Sequence, residues 1–518
     1  MSPVAGHNFQ PKVLREVDAD VVIIGSGAGG AVAAKELSEM GYKVVVVEEG
    51  AYYKKEDFNL KPVEAFRKLY RLGGHNLTIG KPIIMLPIGC SVGGSTTIFS
   101  GTMLRAPSRI LKRWKLEHGL TELNEEELAL IYKTIEEFMF VQRADPEVAG
   151  VNARLFLETA EEKLGLSGGW LPRCAKDCEG FGSCAIGCPS GSKQSMDVSY
   201  MPAALEAGAE LFTRCRAERI IIENGKACGV EASILHESHS EGNSENIQGK
   251  MIVRAKVVVL AAGTVYTPLF LLKQGICNSS GLVGKNLSIH PCVAIVAELE
   301  KEIGNPKGIP QASYIDEFEA DGVMLEGSTV APGLHAMSMP FSGKKHREHM
   351  NNFSRTGMFG AMISETESEG SVSTSPLGKY RPLIRYNLKG VDIKKAKLGV
   401  IAMAQVWFAA GARKIITPVL GFQELSSPKD LLRLEKAKLK ASDLTYMGAF
   451  HPMGTCRMGS EADYSVVKHT GETWDVEDLY ILDGSILPTS LGVNPMLTIS
   501  ALSMRASGYI DDRLAGIG

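Results

Sequence analysis

Residues 19–50 run through an unbroken apolar stretch, a glycine turn, a helix-like segment and a second apolar stretch. Val21-Val22-Ile23-Ile24 has no polar position, which predicts a parallel strand covered on both faces. Residues 31–40 have helical composition, and residues 42–47 form a second β-branched run. Residues 125–163 are rich in Glu, Leu and Lys and predict helices. Residues 217–235 predict a hairpin around Asn224-Gly225, the dipeptide favoured in two-residue turns. The polar, Ser- and Asn-rich residues 236–250 predict a solvated loop before a strand at 251–255. Val257-Val258-Val259-Leu260 is another buried strand, closed by Ala261-Ala262-Gly263. From residue 293 to about 385 short extended runs alternate with Gly and Pro, predicting an antiparallel sheet, and the last 70 residues return to Gly-punctuated strand and helix. The fold expected is α/β. A Rossmann-like dinucleotide-binding domain is assembled from residues 18–110, 190–292 and 441–518. A second domain, built on an antiparallel β-sheet, comes from residues 111–189 and 293–440.

A length of 518 residues exceeds one simple core and fits that two-part reading. The net charge of −3 gives no reason to expect nucleic acid or an anionic membrane as a partner. Residues 1–20 carry Lys12, Arg15, Glu16, Asp18 and Asp20 without an apolar secretory core. The longest charge-free apolar stretch, 257–272, is interrupted by Gly263 and Pro268 and falls short of the roughly 20 residues of a membrane span. A cytoplasmic location without a transmembrane segment is therefore expected.

Gly25-Ser26-Gly27-Ala28-Gly29-Gly30 is a G-x-G-x-x-G placed between a strand and a helix. Gly25 permits the tight turn, Gly27 lets the backbone approach a pyrophosphate, and Gly30 lets helix and strand pack closely. The helix N-terminus then offers free N–H groups and partial positive charge to the phosphates. Glu48 ends the second strand, where an acid binds a ribose 2′-hydroxyl and disfavours a 2′-phosphate. The motif alone does not separate FAD from NAD.

The C-terminal part does. His451-Pro452-Met453-Gly454-Thr455-Cys456-Arg457-Met458-Gly459 precedes Leu479-Tyr480-Ile481-Leu482-Asp483-Gly484-Ser485 and Asn494-Pro495-Met496-Leu497-Thr498-Ile499. In residue type, order and spacing this resembles the C-terminal signature of the glucose–methanol–choline (GMC) oxidoreductases. Gly93-Gly94-Ser95-Thr96, Leu260-Ala261-Ala262-Gly263 and Val283-Gly284-Lys285-Asn286-Leu287 are further matches. The resemblance spans residues 18–512 and is weak over 293–440. Residues 182–203 and 408–413 look most like the branch of long-chain alcohol oxidases and related dehydrogenases.

That resemblance implies non-covalent FAD and oxidation of an alcohol or sugar hydroxyl by hydride transfer to flavin. It places His451 as the base for the hydroxyl proton and Asn494 as a partner of the substrate oxygen, both before the flavin. Pro495 restricts Asn494 to an extended conformation, and the helix expected after it would direct positive partial charge at the flavin. Gly93, Gly94, Ser95, Gly263, Asp483 and Gly484 match cofactor contacts, and Ala217, in a strand expected at 211–221, matches the residue that holds adenine through its backbone. Ile98-Phe99 stands where relatives often carry Asn, so that contact is lost. No His lies between Gly89 and Ser100 to form a covalent flavin link.

Cys174, Cys178, Cys184 and Cys188 fall within 15 residues, a clustering that suggests a metal more than disulfides in a cytoplasmic protein. The spacing is not that of a zinc finger. An iron–sulfur cluster, zinc and bare thiols are all compatible with the residues. Cys178, Cys184 and Cys188 resemble the ligands of an iron–sulfur cluster in some multi-subunit dehydrogenases of the family, with Cys174 a fourth ligand or a bystander. A cluster would export electrons to a partner subunit or a quinone. The alternatives are an oxygen-using, peroxide-forming alcohol oxidase and an FAD-containing lyase.

Overall fold

The computed structural model describes residues 14–236, 247–303, 307–327, 332–376 and 378–517. The expected loop at 236–250 lies mostly outside them, as does the beginning of the chain.

Val21–Ile24 occupies the middle of a five-stranded parallel sheet. Its neighbours are Val257–Leu260, which pairs onward with Leu479–Ile481, and Val44–Glu48, which pairs onward with Glu210–Thr213. All four residues of Val21–Ile24 and of Val257–Leu260 are buried, as continuous apolar runs require. The helix Gly30–Glu39 makes the first crossover and packs against the C-terminal helix Met496–Ala515. Segments far apart in sequence thus complete one nucleotide-binding sheet, as expected.

The predicted hairpin forms from Cys215–Glu223 and Lys226–Leu235, with Asn224 and Gly225 at φ +52° and +80°. Two positive φ values are what this turn demands. Ile247–Arg254 and Leu14–Asp18 extend the hairpin to four strands. The single strand expected at 211–221 is instead two. Arg214 at φ +53° turns the chain out of the parallel sheet and into the hairpin.

A nine-stranded, largely antiparallel sheet forms the second layer. Pro291–Glu298 lies at its centre, paired with Thr356–Ile363, Lys414–Ile416 and Met447–Ala449. Val323–Gly327 pairs with the far side of Thr356–Ile363. The helix Gly390–Ala409 covers this sheet and buries Trp407 against Phe156 and Gly357. The all-helical reading of 125–163 is interrupted: after Glu125–Phe138, Val141–Arg143 forms a strand with Pro172–Cys174. Each layer has its own hydrophobic core. Among the described residues, no helix is long and apolar enough to cross a membrane.

Candidate active site

A cavity of about 1340 Å³ lies between the parallel sheet and the antiparallel one. It is lined by Gly25 to Gly29 and Glu48 of the nucleotide motif and also by Glu326, His451 and Asn494. Gly94, Ser95, Ala217, Gly263, Asp483, Gly484 and Pro495 line the same cavity. Ile98 and Phe99, which replace the usual Asn, also face it.

The glycines divide into two kinds. A Cβ on Gly27 or Gly263 would meet nothing within 4 Å, so both leave their backbone open to the cavity. A Cβ on Gly30 would stand 2.1 Å from the Gly25 carbonyl oxygen, and one on Gly29 only 1.7 Å from that of Leu482. These two are packing glycines. Gly30 does what the motif predicts, while Gly29 seats the returning strand that carries Asp483. Gly93 likewise works from behind, donating its N–H to Ser26 Oγ at 3.1 Å. Glu48 accepts from Ser26 N, Ser26 Oγ and Gly50 N at 3.0, 2.7 and 2.7 Å. Each carboxylate oxygen has two acceptor sites, so a ribose hydroxyl can still donate there. Burial raises the Glu48 carboxyl against those hydrogen bonds. Asp483 receives Gly263 N at 2.8 Å, Thr267 Oγ1 at 2.5 Å and Ser485 N at 2.8 Å, fixing three loops around the space. An uncapped helix start, open glycine backbone and a terminal acid at the C-terminal edge of a parallel sheet fit a dinucleotide.

In the same cavity, the amide nitrogen of Asn494 lies 3.1 Å from His451 Nε2. His451 Nδ1 lies 3.2 Å from His290 Nδ1, and Gly492 N donates to His290 Nε2 at 3.0 Å. Burial pushes His451 down to about 4. Burial, and then His451, hold His290 well below its ordinary value. His290 itself has φ +49°, and Glu365 Oε1 secures that turn by accepting Ile289 N at 2.5 Å and His290 N at 3.0 Å. Pro495 caps the helix Met496–Ala515, whose first turn borders the cavity.

Sequence reasoning missed Glu326. It sits in the otherwise apolar strand Val323–Gly327, whose five residues are all buried. A lone charge in such a run was the available signal. Burial raises its carboxyl to about 7 against the opposing pull of Asn494.

The cysteines correct an expectation. Among the described residues no three His, Cys, Asp or Glu side chains form a group that could hold a metal ion. The Arg173 guanidinium lies between two of the thiols instead, 4.0 Å from Cys178 Sγ and 3.5 Å from Cys184 Sγ. Cys174 faces the core, where burial pushes its thiol up to about 12. At Cys188 burial acts upward, but hydrogen bonds from Ser190 and Lys193 together lower the thiol. Lys193, itself buried, donates from Nζ to the carbonyls of Thr97, Phe99 and Cys184 at 2.7, 3.0 and 2.7 Å. Two buried cations, rather than a cluster, organise this loop, and the iron–sulfur and metal-binding expectation is withdrawn.

Residues 66–292 and 366–503 match family models described as GMC oxidoreductase, and residues 20–55 match an FAD-binding domain. An uncharacterised GMC-type oxidoreductase of Mycobacterium tuberculosis strain H37Rv is 32% identical over 512 residues, covering 98% of this chain and 77% of the relative. The chain belongs to the GMC oxidoreductase family. This GMC oxidoreductase is also 30% identical to a long-chain-alcohol oxidase of Arabidopsis thaliana over 529 residues, covering 96% of this chain and 69% of the relative. Its fold matches the crystal structure of pyridoxine 4-oxidase from Mesorbium loti with a TM-score of 0.70, over 95% of this chain and 98% of that one, at 18% identity. As a GMC oxidoreductase it is an FAD-dependent enzyme acting on CH–OH groups.

Proposed function

We propose that this enzyme oxidises apolar, long-chain alcohols to carbonyl compounds, with dioxygen as the electron acceptor. The observation that carries the reading is one continuous cavity joining the glycine turn to His451 and Asn494. Non-covalently bound FAD would supply the acceptor for the hydride of the carbinol carbon. Gly25, Gly27 and Glu48 hold the dinucleotide end, with Gly30 and Gly93 packing behind it and Gly94, Ser95, Ala217, Gly263, Asp483, Gly484 and Pro495 bordering the remainder. His451 and Asn494 hold the hydroxyl oxygen.

The apolar preference is supported by the rim of the cavity, where Leu77, Ile83, Met337 and Phe450 stay 52%, 59%, 56% and 56% exposed. The likeness to a long-chain-alcohol oxidase points the same way. The acceptor is inferred from the oxidases among the relatives, because the case for a partner subunit or quinone rested on the withdrawn cluster. The test is an anaerobic flavin spectrum before and after addition of alcohols of increasing chain length. Bleaching by a long-chain alcohol, followed by recovery and stoichiometric peroxide on admitting air, is expected. Bleaching that air does not reverse would return a protein or quinone acceptor, and a flavin no alcohol bleaches would leave the lyase reading.

A further inference from the structure

We propose that Tyr380 is a cofactor-retaining residue: fastened to Glu218, it closes the cavity over the adenine end of FAD, and its release from Glu218 sets how fast FAD leaves. This rests on the reading above that brings FAD into the cavity beside Glu48 and Ala217.

Cys215–Glu223, the strand that carries Ala217, lies at the edge of its four-stranded sheet. An edge strand leaves backbone groups open on its outer side. Gln274 caps that edge at Ile220, accepting from its N–H at 2.9 Å and donating to its carbonyl at 2.6 Å. Ala217 pairs with Ala232 and Arg219 with the adjacent Glu231, so Glu218 is the extra residue of a β-bulge. Bulges re-aim side chains. This one brings the Glu218 carboxylate to Arg216, whose Nε donates to it at 3.1 Å. Arg216, Ala217 and Glu218 all line the cavity.

Tyr380 reaches the same carboxylate from a different sheet. Glu369–Ser373 and Leu383–Asn387 form a two-stranded hairpin that packs on the helix Tyr266–Gln274. Lys379 and Tyr380 precede its second strand. The Tyr380 hydroxyl lies 2.9 and 2.7 Å from the two oxygens of Glu218, and Lys379 Nζ donates to the second of them at 2.8 Å. Two cations cover the phenol ring, the Arg216 guanidinium 3.7 Å and the Lys273 ammonium 4.4 Å from its centroid. The ring's negative face attracts both. Lys273, Lys379 and Tyr380 line the cavity as well.

The contact is a hydrogen bond to an anion, which is stronger than one between neutral groups. Burial acts upward on the Glu218 carboxyl, but Lys379, Tyr380 and Arg216 together hold it below its ordinary value. Burial first, then Glu218, raise the Tyr380 phenol, so the proton stays on the tyrosine. Arg216 also approaches Glu49, the residue after Glu48, at 3.8 Å. The network therefore runs from the end of the strand Val44–Glu48 to the hairpin. A contact that only braced the fold would bury apolar side chains. Here a phenol, a carboxylate and cations meet on the wall of the cavity.

The experiment follows FAD leaving the holoenzyme after dilution, read as the rise in flavin fluorescence, in wild type, Tyr380→Phe, Tyr380→Ala, Lys379→Met and Glu48→Gln. Tyr380→Phe, which removes only the hydroxyl, should release FAD about 10- to 100-fold faster, the factor that a hydrogen bond to a charged group supplies. Tyr380→Ala removes the ring over Arg216 as well and should be faster still. Lys379→Met should change the rate by no more than about fivefold, because water screens an exposed ion pair. Glu48→Gln probes the placement of FAD without touching Tyr380, and it too should speed release. Wild-type release from both Tyr380 variants, with faster release from Glu48→Gln, overturns the proposal and leaves the placement standing. A lower melting temperature of flavin-free Tyr380→Phe without faster release also overturns it, because the tyrosine would then only brace the fold. Release unchanged in every variant, Glu48→Gln included, removes the placement of FAD and the role of Tyr380 with it.

Discussion

Gly27 and Gly29 stand two positions apart in one turn, yet a methyl group meets open cavity at the first and a carbonyl oxygen 1.7 Å away at the second. The two alanine variants should therefore fail differently. Gly29→Ala must displace the Leu482–Asp483 backbone, and overpacking that no side chain can relieve is expected to cost about 3 kcal/mol, read as a lower melting temperature of flavin-free protein. Gly27→Ala should melt like wild type but retain little FAD after gel filtration, because the methyl group takes the space of the phosphates. Equal melting temperatures for the two variants would contradict this division. The motif made Gly25, Gly27 and Gly30 legible, since a strand, a turn and a helix in sequence impose their roles. Gly29 and Glu326 were harder to read. The neighbour that constrains Gly29 is 453 positions away at Leu482. Glu326 is defined by a cavity that only the pairing of Val323–Gly327 with Thr356–Ile363 creates.

Elements with local causes were the ones readable in advance. Val21–Ile24 and Val257–Leu260 announce themselves as unbroken apolar runs, and the hairpin at Asn224-Gly225 needs only its own turn. The break at Arg214 has no such marker, because a left-handed arginine is imposed by the sheets on either side. The cysteine-rich loop misled for a related reason: its thiols are close in sequence, but Arg173 occupies the place between two of them. Lys193 is the larger structural commitment, since its Nζ satisfies three carbonyls of two segments. Lys193→Met should strand those acceptors and destabilise the protein by about 3 kcal/mol or more. Limited proteolysis should then cut within residues 175–192 before the rest of the chain. Wild-type melting with an uncut loop would mean that water replaces the ammonium group without loss.

At the scale of the whole molecule, the two sheets perform separate tasks across one space. The C-terminal edge of the parallel sheet supplies Gly25, Glu48, Ala261 and Asp483, and the antiparallel sheet supplies Cys292, Glu326, Gly360 and Met362. The presence of a parallel sheet and an antiparallel one was legible from the alternation of buried runs and glycine-broken extended ones. The membership of individual strands was less so, because Met447–Ala449 and Ile84–Met85 join the antiparallel sheet from segments that otherwise surround the nucleotide end. That arrangement brings Met85, Met447 and Phe450 to the cavity, extending an apolar wall from the His451 end to the exposed rim. An alkyl chain laid along such a wall gains about 0.8 kcal/mol for each methylene removed from water, or roughly fourfold in kcat/KM per carbon. A series of primary alcohols should therefore rise steeply and then level off once the chain reaches solvent at the rim. Replacing Phe450, 56% exposed at that rim, by Ser should lower the longest members of the series while sparing the shortest. A flat series would mean that the wall does not hold the substrate and that a polar hydroxyl compound fits the cavity better.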